Sequence, residues 1–287
     1  MLNEIDRILV AAPDAKVAAQ SWKDYLGAVE VGHDRLASLA ATRITLRVGT
    51  GDIEILEPDG AGVIADELRR RGRAHLFAAG AMSDGSSAVA AHAKQNGASV
   101  EALDGRYYVT LTIEGAPIRF VVSPSAQRER AGLLDFLYEA TVLAENQAAA
   151  VDQIARCFDL NKESFTEITS EKFGYTGVLT LFEAGRLHRF EVITPTDMEK
   201  TMGRYYRREG ASFYMAFAES ACMTKIEASV SEKGLTVDRP ENRARDKSPD
   251  QLWLHPATMG GMMLGVSRPT MAWMWSGQPQ RVENIDV

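Results

Sequence analysis

The stretch IDRILVAAPDAKVAAQSWKDYLG, residues 5–27, decides the fold. An apolar run, IDRILVAA, has the length and character of a buried strand. Asp14 then stands where a helix N-cap belongs. Val17, Trp22, Tyr25 and Leu26 follow at helical spacing, and Gly27 supplies the stop. Further strands are predicted at 28–32, at ATRITLRV (41–48) and at DIEILEP (52–58). The order is strand, cap, amphipathic helix, then two or three strands.

The same order recurs three more times, in pattern though not in residue identity. The second unit opens with RAHLFAAGAMSD, continues through the helix SSAVAAHAKQNG, and closes with SVEAL, RYYVTLTIEG and PIRFVVSP, where TIEGAPIRF reads as a hairpin. The third runs LLDFLYEATVLAEN, QAAAVDQIARCFDL, TGVLTLFEAG and RLHRFEVITP. The fourth runs GASFYMAFAES, CMTKIEASVSEKG, DQLWLHP and GMMLGVSRP, interrupted by the polar stretch DRPENRARDKSPD (238–250), which reads as a surface loop. SPSAQRERAG (123–132) is the best linker. The expected domains are 1–125 and 132–277, two units each, with a tail at 278–287. The architecture is α+β, with curved, mostly antiparallel sheets and helices on their convex faces.

Composition narrows the function. With 287 residues the chain suits two domains, and 45% hydrophobic and 25% charged residues are ordinary for a globular protein. A net charge of −7 disfavours a general nucleic-acid binder, which needs clustered Lys and Arg. Arg69-Arg70-Arg71, ahead of Gly72 in VIADELRRRG, reads as a helix C-terminus complementing the macrodipole. Cys157 and Cys222 match no metal or redox spacing, and Cys157 lies on an apolar helical face as a buried free thiol. No apolar window reaches membrane-spanning length, and the N-terminus does not read as a signal peptide. A reducing cytoplasm is the expected compartment, a small molecule the expected partner, and a homodimer is compatible with everything here.

One position breaks the local rules. In LWLHPATMGGMMLGVSRP (252–269), Gly265 sits mid-strand, where glycine costs stability and marks close approach by another group.

The ordered set IDRILVAAPD with SWKDYLG, DIEILEP, RAHLFAAGAMSD, HRFEVITP, and LWLHPATMGG with MMLGVSRP resembles the vicinal oxygen chelate superfamily over roughly residues 4–275. That group includes glyoxalase I, methylmalonyl-CoA epimerase, bleomycin-resistance proteins and type I extradiol dioxygenases. The resemblance implies four βαβββ modules forming two tandem glyoxalase-like domains, each folded around a cleft. It also implies ligand positions in each module's first and last strands, where metal-dependent members hold an ion that chelates adjacent substrate oxygens. Carried over one residue at a time, these positions fall on Arg7 and Glu54, His75 and Arg119, Glu139 and Glu191, and Phe213 and Gly265. A one-residue slip would turn any of them to the opposite face.

Arg7, Glu54, His75 and Arg119 set two fixed positive charges among two would-be ligands, so the N-terminal cleft reads as a degenerate site: a salt-bridged interior or an anion-binding pocket. The C-terminal cleft holds Glu139 and Glu191, which could bind a divalent metal (Mg, Mn, Fe or Zn) or act as an acid/base pair. A structural Glu191–Arg189 pair is the plainer alternative. His255, at a strand end beside a glycine loop, is either an assisting catalytic group or a loop cap. Phe213, Tyr214, Met215, Phe217, Trp253, Met263 and Gly265 are expected around an apolar substrate pocket. Most such residues are core in any protein. The resulting expectation is a lyase or isomerase working beside a carbonyl or carboxyl group. The rivals are a sequestering binding protein, which needs only the aromatic cleft, and an extradiol-type dioxygenase, which needs two histidines that the mapped positions lack.

Overall fold

A computed structural model describes residues 1–235, 237–240, 243, 244 and 246–286. The first unit comprises β1 (Glu4–Ala11), α1 (Ala15–Leu26), β2 (Val29–Leu36), β3 (Ala41–Val48) and β4 (Gly51–Pro58). Asp14 caps α1 by accepting from the Val17 amide at 3.0 Å, and Gly27 ends it in the left-handed region. After α2 (Val63–Arg71), the second unit follows as β5 (His75–Ser83), α3 (Ser86–Gln95), β6 (Ser99–Leu103), β7 (Arg106–Ile113) and β8 (Ala116–Pro124). The third is β9 (Phe136–Leu143), α4 (Gln147–Phe158), β10 (Thr166–Ser170), β11 (Tyr175–Leu181) and β12 (Arg189–Pro195). Next comes α5 (Thr201–Glu209). The fourth unit is β13 (Ser212–Glu219), α6 (Met223–Glu232), β14 (Gln251–Leu254) and β15 (Met263–Ser267).

Two curled sheets result, with strand orders β2-β3-β4-β1-β5-β8-β7-β6 and β10-β11-β12-β9-β13-β15-β14. Both are mixed. β1–β4, β5–β8, β9–β12 and β13–β15 run parallel, and the other pairings are antiparallel. The fourth unit departs from the other three. Among the described residues it has two strands after its helix, and an isolated Asp238–Trp253 bridge extends β14 where a third strand would pair. The polar stretch 238–250 runs irregularly, with positions 241, 242 and 245 outside the described residues.

Helices α1, α3, α4 and α6 lie on the convex sheet faces, and those faces pack together, while α2 and α5 sit on the concave sides. α1 meets α6, α3 meets α4, and β1 runs beside β9. The shared core includes Trp22, Leu26, Ile154, Phe158 and Ile226 from helices, and Ile8, Val10, Phe120, Phe190 and Val192 from strands. Phe120 of β8 sits edge-on to Phe190 of β12 at 4.7 Å between ring centroids and to Phe213 of β13 at 5.5 Å. With the convex faces consumed, both concave faces turn outward, and strand alternation decides what they display. In β12, Phe190 and Val192 enter the core, so Arg189 and Glu191 face the concavity.

Candidate active site

The C-terminal concavity encloses a cavity of about 820 Å³. Of the expected residues, Glu139, Glu191, Tyr214, Met215, Phe217, Trp253, His255 and Met263 line it. Phe213 does not. Tyr214 is a bulge between Phe213, paired with Val142, and Met215, paired with Thr141. The extra residue turns Phe213 into the inter-sheet core while Met215 and Phe217 face the cavity. Simple alternation along 213, 215 and 217 puts all three on one face, and the bulge is what separates them.

The bulge also settles which side chain stands at each ligand position. Phe217 pairs with Glu139 on one side and with Gly265 on the other. A Cβ at residue 265 would collide with the Phe217 ring. The mid-strand glycine therefore admits Phe217, which lies across the site where a last-strand carboxylate would be.

At the cavity floor, Arg189 Nε donates to Glu139 Oε2 at 2.6 Å, with both side chains almost wholly buried. Arg189 Nη1 donates to the Leu187 carbonyl and to Ser276 Oγ, and its guanidinium lies over the Tyr138 ring at 4.8 Å. Arg189 thus pairs with Glu139 and leaves Glu191 without a cation. The Thr141 hydroxyl stands between the acids, donating to Glu191 Oε2 and lying 3.4 Å from Glu139 Oε1. Burial, and then the neighbouring Glu139, push the Glu191 carboxyl well above the usual carboxylate range. Glu191 therefore holds its proton more tightly than an ordinary carboxyl, beside an acid already committed to a guanidinium. Arg189, expected to pair with Glu191, pairs with Glu139 instead. Thr141 was not singled out, although it follows from strand parity, two residues from Glu139. Trp275 also lines the wall, as do Tyr175 and Phe173, which carry no local signal because their placement depends on sheet curvature.

His255 is at the rim, part exposed, with Nε2 2.9 Å from Asp238 Oδ2. His188, turned away from this cavity, is pushed down to about 3 by burial and then by Arg189 and Arg186, and its Nδ1 accepts from the Ile5 amide at 3.1 Å.

The N-terminal set separates into two places. Arg7 Nη1 donates to Glu54 Oε1 at 2.5 Å, and Arg43 and Arg106 converge on the same carboxylate. Asp6 takes Arg7 and Arg128, each at 2.7 Å. Gly80 in β5 gives the Arg7 side chain its room, since a Cβ there would strike Arg7 Cγ. His75 and Arg119 lie elsewhere, on a smaller cavity between the two halves. His75 is pushed down to about 4, chiefly by burial and then by Arg71.

No protein-family model matches the sequence, and no curated protein matches it. Solved structures do. A variant of 4-hydroxymandelate synthase from Streptomyces coelicolor superposes with a TM-score of 0.70 at 14% identity, over 93% of each chain. BphC, a halotolerant catechol dioxygenase, gives 0.60 at 9% identity, covering 93% of this chain and 87% of that one. The 2,2',3-trihydroxybiphenyl 1,2-dioxygenase of Sphingomonas wittichii gives 0.60 at 14%, covering 93% and 91%. The fold is therefore the tandem glyoxalase-like fold expected from the sequence. At these identities the likeness is one of fold.

The divalent metal that the sequence resemblance implies fits this chain poorly. Of the four mapped positions in this cleft, Glu139 is already paired with a guanidinium, Phe213 is turned into the core with the Phe217 ring facing the site instead, Gly265 has no donor, and Glu191 is left as the one uncommitted carboxyl. No group of three His, Cys, Asp or Glu among the described residues could hold an ion.

Proposed function

We propose that the C-terminal cavity is the active site of an acid–base enzyme, a lyase or isomerase acting beside a carbonyl or carboxyl group of a small, partly aromatic molecule. The observation that carries this reading is the pair of unlike acids, Glu139 and Glu191, at the floor of a large aromatic-walled cavity. Neutral Glu191 donates its proton to the substrate carbonyl oxygen as Glu139 takes a proton from the adjacent carbon. The C–H bond electrons form the enol double bond, and return of the protons, or loss of a β-substituent, completes the turnover. Arg189 fixes Glu139 in place through a charge-assisted bond. Trp253, Phe217 and Trp275 exclude water and hold the apolar part.

The test is exchange of solvent deuterium into a panel of aromatic 2-oxo acids and 1,3-dicarbonyl compounds, followed by NMR. Exchange that is lost by at least a hundredfold in Glu191→Gln and in Glu139→Gln, with unchanged circular dichroism, supports the proposal. Exchange persisting in both variants overturns it.

The Glu139–Arg189 ion pair also supports a second reading, a sequestering binding protein in which the acids are structural. Stoichiometric binding of the same compounds without exchange or product would favour that reading.

A further inference from the structure

A second cavity, of about 360 Å³, lies between the halves of the molecule. Its walls come from the end of α2, the start of β5, the β7–β8 turn, and the α5–β13 junction. It is separate from the acid pair, since Tyr214 divides the chain so that Phe213 lines this cavity and Met215 the other.

Its charge is unbalanced. Arg70, Arg71 and Arg119 line it, with Arg73 and Arg208 close behind. Only two carboxylates serve these five. Glu67 takes Arg70 at 2.8 Å and Arg119 at 3.0 Å, and Glu209 is divided among Arg71 at 3.4 Å, Arg73 at 2.7 Å and Arg208 at 2.7 Å. The other lining acid, Glu114, is engaged by the Asn146 amide at 2.6 Å and the Tyr206 hydroxyl at 2.8 Å. Arg71 is held loosely. Its side chain is 6% exposed, its Glu209 contact is long, and its buried Nε–H has no hydrogen-bond partner. Such a group is costly unless something accepts from it. Arg119, by contrast, is fixed flat over the Phe77 ring at 4.6 Å. Burial brings its guanidinium below the usual range, with Glu67 opposing the shift and Arg70 and Arg71 adding to it. His75 contacts the Arg73 carbonyl through Nδ1 at 3.0 Å, so its neutral ring donates there and keeps Nε2 as an acceptor.

We infer that this cavity between the halves binds a small oxyanion, a carboxylate or phosphate held by Arg71 and Arg119, with His75 accepting from a hydroxyl of the ligand. Guanidinium forks match both anions bidentately, and the volume admits a ligand of a few heavy atoms.

Calorimetric titration of the full chain with inorganic phosphate, and separately with malonate, at low ionic strength tests this. One-site saturable binding of either anion is expected, weakened at least tenfold in Arg119→Gln and in Arg71→Gln. The anion that binds identifies the ligand class. Should Arg71→Gln fail to fold, Arg119→Lys, which keeps the charge and loses the fork, should still weaken binding severalfold. Glu191→Gln should bind the anion like the unmodified protein, which separates this site from the acid pair. Absence of saturable binding of both anions at tens of millimolar, or equal binding by Arg119→Gln, overturns the inference.

Discussion

Glu191 is a carboxyl whose protonation state is written into the floor of the cavity. Its pKa is raised on folding, so the unfolded chain releases the proton near pH 4.5 while the folded protein retains it. Stability contributed by this group is therefore full below pH 4.5 and declines as pH rises, until the folded carboxyl ionises as well. Glu191→Gln removes that slope, worth at most about 1.4 kcal/mol per pH unit. Urea midpoints of the variant should pull ahead of the parent progressively above pH 4.5, and parallel curves would refute the assignment. Gly265 supports an independent prediction. Gly265→Ala should cost about 1–3 kcal/mol by driving the Phe217 ring into the cavity, and Phe217→Leu in the same chain should recover most of it. Thermal unfolding of the single and double variants measures both effects. The glycine was conspicuous in the sequence as a missing ligand. That the missing volume belongs to Phe217, and not to a substrate, depends on the strand pairing.

At the scale of elements, α5 and the Tyr214 bulge shape the cavity wall. Met202 of α5 and Tyr214 line the cavity, and the Tyr205 and Tyr214 rings meet edge-on at 4.8 Å. α5 is seated by Gly203, where a Cβ would strike the Met198 backbone and the Asp197 carbonyl. Gly203→Ala should lift α5 from the wall and weaken ligand binding several-fold, while the inter-sheet core, which it does not touch, keeps the unfolding cooperative. Fluorescence titration alongside thermal melts distinguishes this from general destabilisation. The repeat units' strands and helices were legible because alternation and helical spacing are local, while α5 was not read as a helix. β3, for instance, spans the predicted 41–48. The bulge was not legible. One inserted residue leaves the apolar pattern SFYMAF intact and changes only which side chains share a face.

The whole molecule is two half-barrels joined back to back, and a polar link crosses the joint. His188 stays neutral and accepts the Ile5 amide of the other sheet. Its folded pKa is depressed from 6.5 to about 3, so acidification protonates the unfolded chain first. Its contribution is present above pH 6.5 and is lost as pH falls toward 3. His188→Gln should flatten the fall in urea midpoint between pH 6.5 and 4.5, a window in which Glu191 acts with the opposite sign, and an unchanged slope would count against this role.

The sequence by itself determined the element order and the four-fold repeat, and it drew attention to Glu139 and Glu191. These follow from periodicity and residue type, which survive without knowledge of contacts. Tertiary structure alone decided the partnerships. It joined Arg189 to Glu139 and left Glu191 without an ion-pair partner, it laid Phe217 across Gly265, and it separated His75 and Arg119 from Arg7 and Glu54. Each of these is a question of which neighbour reaches a shared space first. Strand register, one bulge and the back-to-back packing of two sheets settle it, and none of the three has a local signature.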